Sequence, residues 1–187
     1  ERERILCFHA DTGEIIWKHE YPVEYGKLDY GNGPRATPTI HDGKLYSVGA
    51  VGDVRCLDAK TGEVVWKLNL VKDFGGRLAM WGFAGSPVVY GDWLILQPGG
   101  EKDSGVIAVE RLTGKEVWRR HMTDDFGGGR PEWGFSESPL VDGDKVFVTP
   151  GGLMGTVVAL DKKSGKVLWQ SKDWTDPAHY SSLILVE

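Results

Sequence analysis

Cysteine, helical periodicity, long apolar runs and basic charge are all scarce in this 187-residue chain, and each scarcity excludes something. The two cysteines, Cys7 and Cys56, stand at the same place in a repeated pattern, each five residues before a threonine. Equivalent positions on neighbouring sheets lie beyond the ~7 Å Cα reach of a disulfide, so both are expected as buried free thiols. No apolar run approaches the ~20 residues of a membrane-spanning helix. The net charge of −5 with scattered basic residues leaves no electrostatic footprint for nucleic acid. No segment keeps a 3.6-residue apolar period, which excludes a helical protein. The chain opens Glu1-Arg2-Glu3-Arg4 without an initiator methionine. It is therefore expected to be a piece of a longer protein, and missing targeting signals prove nothing.

Glycine and tryptophan are abundant instead, at 26 and 8 residues. They recur together as Thr-Gly, three residues, then Trp: Thr12-Gly13 to Trp17, Thr61-Gly62 to Trp66, Thr113-Gly114 to Trp118 and Ser164-Gly165 to Trp169. The tryptophans are 49, 52 and 51 residues apart, and a fixed period near fifty signals a repeat architecture. A short apolar run precedes each Thr-Gly and another ends in Trp, so each copy reads as a β-hairpin whose Gly takes positive φ. In the outgoing strand Val65 is expected on one face, with Val64 and Trp66 on the other. Both faces are apolar, which predicts a strand sandwiched between sheets. Trp17, Trp66, Trp118 and Trp169 are then inter-sheet packing residues rather than a row of ligand-stacking rings.

Laid out in order, residues 1–20 supply two strands of a first, partial unit. Three complete four-stranded units follow at 37–69, 85–120 and 137–171. Each starts with Thr37-Pro38, Ser86-Pro87 or Ser138-Pro139 and runs through a short turn, His41-Asp42-Gly43, Tyr90-Gly91-Asp92 or Asp142-Gly143-Asp144. A last strand over Ser182–Val186 is expected to open another unit at 181–187. Four short antiparallel strands per unit at so regular a period describe an all-β protein, a β-propeller of four-stranded blades. A β-sandwich would not explain the period. Three full blades and two partial ones make an arc, the fragment of a larger ring.

Alternating strand direction sorts the loops onto two faces. Asp-Gly turns and Thr-Gly hairpins, short and uniform, fall on one. Blade-to-blade connections and Pro-Gly-Gly loops, longer and varied, fall on the other, where binding residues are expected. Two connections there match closely. Asp73-Phe74-Gly75-Gly76 with Arg77 and Trp81-Gly82-Phe83 parallels Asp125-Phe126-Gly127-Gly128 with Arg130 and Trp133-Gly134-Phe135. In the preceding connection Asn32 takes the Trp place and Arg35 lies three residues before Pro38. One reading is a polar and aromatic funnel that binds a ligand or peptide through Arg35, Asp73, Arg77, Trp81, Asp125, Arg130 and Trp133. The plainer one is that Asp and Gly fix the turns while Trp and Phe plug the seams between blades. Elsewhere the chemistry is thin. Gly31-Asn32-Gly33-Pro34-Arg35-Ala36 spells a dinucleotide fingerprint but leads into a strand, without the helix that would hold a phosphate. The five histidines have no paired metal spacing, and Asp142-Gly143-Asp144 lacks the rest of a calcium loop. Ser86 and Ser138 precede proline at strand starts and form no nucleophile elbow. Glu101-Lys102-Asp103 reads as a solvated loop tip. No catalytic residue and no metal site are assigned.

The repeat consensus resembles the tryptophan-docking motif of the pyrroloquinoline-quinone (PQQ) repeat propellers. Ala108-Val109-Glu110 to Thr113-Gly114 and Trp118, and Ala159-Leu160-Asp161 to Ser164-Gly165 and Trp169, carry the match. Cys7 and Cys56 replace the usual Ala, and His9 and Glu110 depart from the usual Asp. The resemblance covers nearly the whole chain and implies a ring of about eight blades in the periplasm or cell envelope. It also implies one of two roles. Quinoprotein alcohol and sugar dehydrogenases bind PQQ with calcium over the ring centre, often with a vicinal Cys-Cys pair that is missing here. BamB-like bacterial scaffolds are non-catalytic and hold protein partners. The Gly-rich connections with Trp-Gly-Phe are more similar to the BamB-like group, so the expectation is an envelope scaffold with no cofactor that binds a protein or peptide. PQQ- and calcium-dependent dehydrogenation is the alternative. A sensor domain of a larger signalling protein is a third option.

Overall fold

A computed structural model describes residues 1–99, 105–129, 131–132, 134–135 and 137–186. Arg130, Trp133 and the Glu101-Lys102-Asp103 tip lie outside the described residues. Every element in the described chain is a strand. β1 (Arg2–Phe8) and β2 (Ile15–Pro22) form a two-stranded sheet. Three four-stranded antiparallel meanders follow. The first is β3 (Thr39–His41), β4 (Lys44–Val48), β5 (Asp53–Asp58) and β6 (Val64–Asn69). The second is β7 (Val88–Tyr90), β8 (Trp93–Leu96), β9 (Val106–Glu110) and β10 (Glu116–Arg120). The third is β11 (Leu140–Asp142), β12 (Lys145–Val148), β13 (Val158–Asp161) and β14 (Val167–Gln170). The fold is a β-propeller segment whose sheets do not close into a ring.

Apolar seams join the sheets. Val54 and Cys56 of β5 pack with Leu94, Leu96, Ile107 and Val109 of the next sheet. Ile95, Val106 and Ala108 pack in turn with Val146, Val148, Val158 and Leu160. Phe74 plugs the first of these seams and Phe126 the second, both buried. Each fully buried aliphatic side chain there contributes about 1.5–3 kcal/mol, so the seams are the main source of cohesion.

The repeated Gly and Trp meet between blades rather than within one. A Cβ on Gly62 would lie 2.6 Å from Trp17, one on Gly114 3.0 Å from Trp66, and one on Gly165 2.7 Å from Trp118. Only glycine lets the turn sit flat on the preceding blade's indole, and its φ of +65 to +75° at these three turns excludes most other residues anyway. Each indole also donates from Nε1 to a carbonyl of the same turn: Trp17 to Ala59 at 3.0 Å, Trp66 to Arg111 at 2.9 Å, Trp118 to Lys162 at 2.8 Å. Gly13 has nothing within 4 Å of its Cβ position, and Trp169 is 45% exposed, packing only beside Phe147. Among the described residues no Thr-Gly turn lies against Trp169.

The outer strands correct a second expectation. Ile15, Ile16, Val64, Val65, Val167 and Leu168 are exposed, so these strands are not sandwiched. Their pairing shows why. Leu57 faces Val64 and Cys56 faces Trp66, leaving Val65 as an extra residue, and the same shift recurs in the other three copies. This β-bulge breaks the two-residue alternation just before each Trp and re-aims the indole toward the next blade. Two smaller expectations also change. Cys7 is half-buried, although Cys56 is buried, and both are free. Ser182–Val186 forms no strand, since no ladder partner lies beside it among the described residues.

Candidate functional site: the loop-rich face

Turns and hairpins sort as the alternation of strands requires. Ala59 N donates to Gly43 O, Arg111 N to Asp92 O and Lys162 N to Asp144 O, which ties the hairpin of each four-stranded blade to the first turn of that blade. On the opposite face the long connections meet the loops after the second strands: Phe83 N donates to Ala50 O and Arg77 N to Gly99 O.

The paired acids of the long connections hold their own turns. Asp73 accepts from the backbone N of Asn69 at 2.7 Å, and Asp125 from that of His121 at 2.9 Å. Arg35 is likewise turned inward, donating to the carbonyls of Asp29 at 3.1 Å, Gly31 at 2.6 Å and Gly33. Arg77 is exposed at the mouth of a small cavity of about 30 Å³, lined also by Phe83, Gly85, Gln97, Pro98 and Phe135. Trp81 is half-buried, with its ring centroid 5.7 Å from that of Tyr30, which is 92% exposed. Thus Phe74, Phe83 and Phe126 serve packing, Asp73 and Asp125 brace turns, and Arg77 and Trp81 remain presented on the rim.

Under the rim lies a polar centre that the sequence reading missed. Glu137, only 2% exposed, accepts from Thr149 N at 2.8 Å, from the Thr149 hydroxyl, and from Gln97 Nε2 at 3.2 Å. It thereby bridges two blades. Burial pushes its carboxyl above the ordinary range, against the opposing pull of the Thr149 and Gln97 donors. Gln97 Oε1 is buried without a partner. A signal was available: Glu137 stands where the other units have Ala36 and Gly85, both small.

A hydroxyl ladder runs along the inner strand starts. Thr37 N donates to Ser86 Oγ at 3.0 Å, Ser86 N to Ser138 Oγ at 3.2 Å, and Ser138 N to Ser182 Oγ at 2.8 Å. These hydroxyls bond the backbone of the preceding unit, a linking role with no nucleophile in it. Ser182 therefore keeps the repeat position even without its strand.

The dehydrogenase alternative can be tested against the donors present. Among the described residues no three of His, Cys, Asp and Glu come together as a metal-holding group. Glu137 is spent on three hydrogen bonds, so the described residues do not by themselves fit a calcium cage. No helix in the described chain is long and apolar enough to cross a membrane.

Comparison with known proteins places this geometry. A family profile described as outer membrane protein assembly factor BamB matches residues 1–171. The quinohemoprotein alcohol dehydrogenase ADH IIB of Pseudomonas putida is 38% identical over 86 residues, covering 40% of this chain and 11% of that enzyme. Among solved structures, the quinohemoprotein alcohol dehydrogenase of Comamonas testosteroni superposes with a TM-score of 0.68 at 19% identity, over 92% of this chain and 32% of its own. BamB of Moraxella catarrhalis gives 0.54 at 19% identity, over 92% and 47%. The structural likenesses are ones of fold, and the chain spans less than half the length of each of these relatives. With the matched profile running through all four Gly-Trp copies, the chain belongs to the PQQ-like propeller family described as outer membrane protein assembly factor BamB.

Proposed function

We propose that this chain is part of a non-catalytic bacterial cell-envelope scaffold that binds a protein or peptide through its loop-rich face. One observation carries the reading. Large apolar side chains stand exposed on the loops of that face: Tyr30 at 92% with Met80 and half-buried Trp81 on one connection, and Leu153 at 92% with Met154 on another. Exposed apolar groups among polar neighbours suit a protein surface better than a small polar substrate. Arg35, Asp73, Arg77, Trp81, Asp125, Arg130 and Trp133 are the proposed contact residues. Asp73, Asp125 and Arg35 shape the loops, while Arg77 is exposed and Trp81 half-buried on the same face. The envelope location follows from the family and is part of the proposal. In the full-length protein, Trp81→Ala or Trp133→Ala should weaken capture of the native partner while thermal unfolding stays unchanged. Unchanged capture by both variants would remove the reading.

The identity to ADH IIB favours one second reading, a PQQ- and calcium-dependent alcohol or sugar dehydrogenase. It requires the rest of the longer protein to supply the metal ligands and the base. Adding PQQ and calcium to the full-length protein and following dye reduction with alcohols and sugars separates the two. Turnover excludes a purely non-catalytic scaffold, and absence of quinone uptake excludes the dehydrogenase.

A further inference from the structure

Tyr30 stands in a backbone conformation that its side chain disfavours. Among the described residues only two other than glycine have positive φ, Tyr30 at 64° and Asp42 at 44°. Asp42 lies in the tight turn between β3 and β4, which a short polar side chain tolerates. A bulky ring at such a φ is strained, and the strain persists only where the surroundings impose it. Arg35 supplies that constraint. Its guanidinium donates to the carbonyls on both sides of Tyr30, Asp29 at 3.1 Å and Gly31 at 2.6 Å, and also to that of Gly33. Asp29 N donates to Met80 O at 2.8 Å, tying this connection to the next one. Asn32 Nδ2 donates to Glu1 Oε1 at 2.6 Å and fixes the far side of the turn. The loop is thus wound around one guanidinium. It holds the Tyr30 ring almost wholly in water, 92% exposed, tilted 31° against Trp81 with the centroids 5.7 Å apart.

What this pair of rings lacks selects its occupant. The carbonyls flanking Tyr30 are taken by Arg35, and the Asp29 N–H by Met80 O. The charged residues nearest to it in the chain, Lys27 and Asp29, are both exposed and opposite in sign, so charge favours neither an acidic nor a basic ligand. Met80, 50% exposed, adds an apolar side. An ordinary extended peptide would bring N–H groups to the aromatic faces and lose their hydrogen bonds to water there. A sugar needs partners for its hydroxyls, and the acceptors beside Tyr30 are spent. Proline carries no N–H and packs its ring on aromatic faces. Runs of it are already extended, so little conformational entropy is lost on docking.

We infer that Tyr30 and Trp81 form a platform for a proline-rich segment of the partner in the polyproline II conformation, with Arg35 as the positioning residue that holds Tyr30 in place. The inference rests on the scaffold reading and names the chemistry of its partner.

The test uses the full-length protein and fluorescein-labelled Gly-Ser-Pro-Pro-Pro-Pro-Pro-Pro-Ser-Gly, beside a twin with alanine for every proline, read by fluorescence polarisation. The proline peptide should bind with little dependence on salt, since no charge pair is made. The alanine twin and the Tyr30→Asn variant should each lose about tenfold in affinity, whereas Tyr30→Trp should keep binding. Asparagine tolerates positive φ, so Tyr30→Asn should leave thermal unfolding unchanged or raised, which separates lost binding from lost fold. Arg35→Lys should weaken binding in the parent and add nothing in the Tyr30→Asn background, a coupling that a merely structural role would not produce. Equal binding of the twin, or an unaffected Tyr30→Asn variant, overturns the inference. So does failure of the proline peptide to bind, with or without binding of cellotetraose as a sugar probe. If Trp133→Ala abolishes capture of the native partner and the proline peptide does not bind, the platform is overturned while the scaffold reading stands.

Discussion

Trp66 and Gly114 belong to different blades, yet the indole covers the glycine so closely that a Cβ would sit 3.0 Å from the ring. The same indole donates to Arg111 O, and Arg111 itself reaches back to Gly91 O at 2.7 Å and Asp42 at 2.8 Å. One contact therefore joins the outer strand of one blade to the hairpin of the next and, through Arg111, to the first turn of each of these two blades.

Trp66→Ala should destabilise the protein by about 3–5 kcal/mol, read as a lowered denaturation midpoint in guanidinium. Gly114→Val should also destabilise, since it adds a β-branched side chain at φ +75° and pushes into the ring. A loss below ~1 kcal/mol in both would mean that the inter-blade dock is not what holds the sheets in order.

Ser138→Ala should cost about 0.5–1.5 kcal/mol, because it removes the acceptor for Ser86 N in the inner ladder. Hydrogen exchange at the Ser86 amide is the direct check. Unchanged protection there would show that the ladder contributes nothing.

Glu137 should make stability depend on pH. Its folded pKa is raised by burial, while the unfolded carboxyl titrates near about 4.3. Its contribution is fully present below that value and is lost as pH rises through the folded pKa, because the unfolded state releases its proton first. Glu137→Gln should flatten this part of the stability-against-pH curve. Parallel curves for parent and variant would contradict a carboxyl whose pKa burial raises.

Cys56 should resist thiol reagents at neutral pH, since burial pushes its thiol up to about 11 and closes access. Mass spectrometry after brief iodoacetamide treatment should find it modified only once denaturant is added. Rapid labelling in the native state would show that the seam opens.

Half of the candidate site was legible in the sequence, and for a particular reason. Asp73 and Asp125 drew notice because they recur in matched loops, and recurrence is what a turn-bracing acid produces. Arg77 and Trp81 recur too, but whether they face water depends on how Tyr30 and Gly99 approach them from other loops. Glu137 shows the opposite pattern. It is the odd residue in its column, and departures carry more about a site than repeats do.

The chain by itself determined the unit, its four strands and the sorting of loops onto two faces, because hairpin turns and strand alternation are local physics. It also determined which glycines and tryptophans repeat. Only the tertiary structure decided that they meet across blades, that a bulge before each Trp leaves Val64 and Val65 in solvent, and that Glu137 lies buried and Tyr30 exposed beside Trp81. Those outcomes depend on which surface covers which, and that is a property of neighbours about fifty residues away rather than of any strand alone.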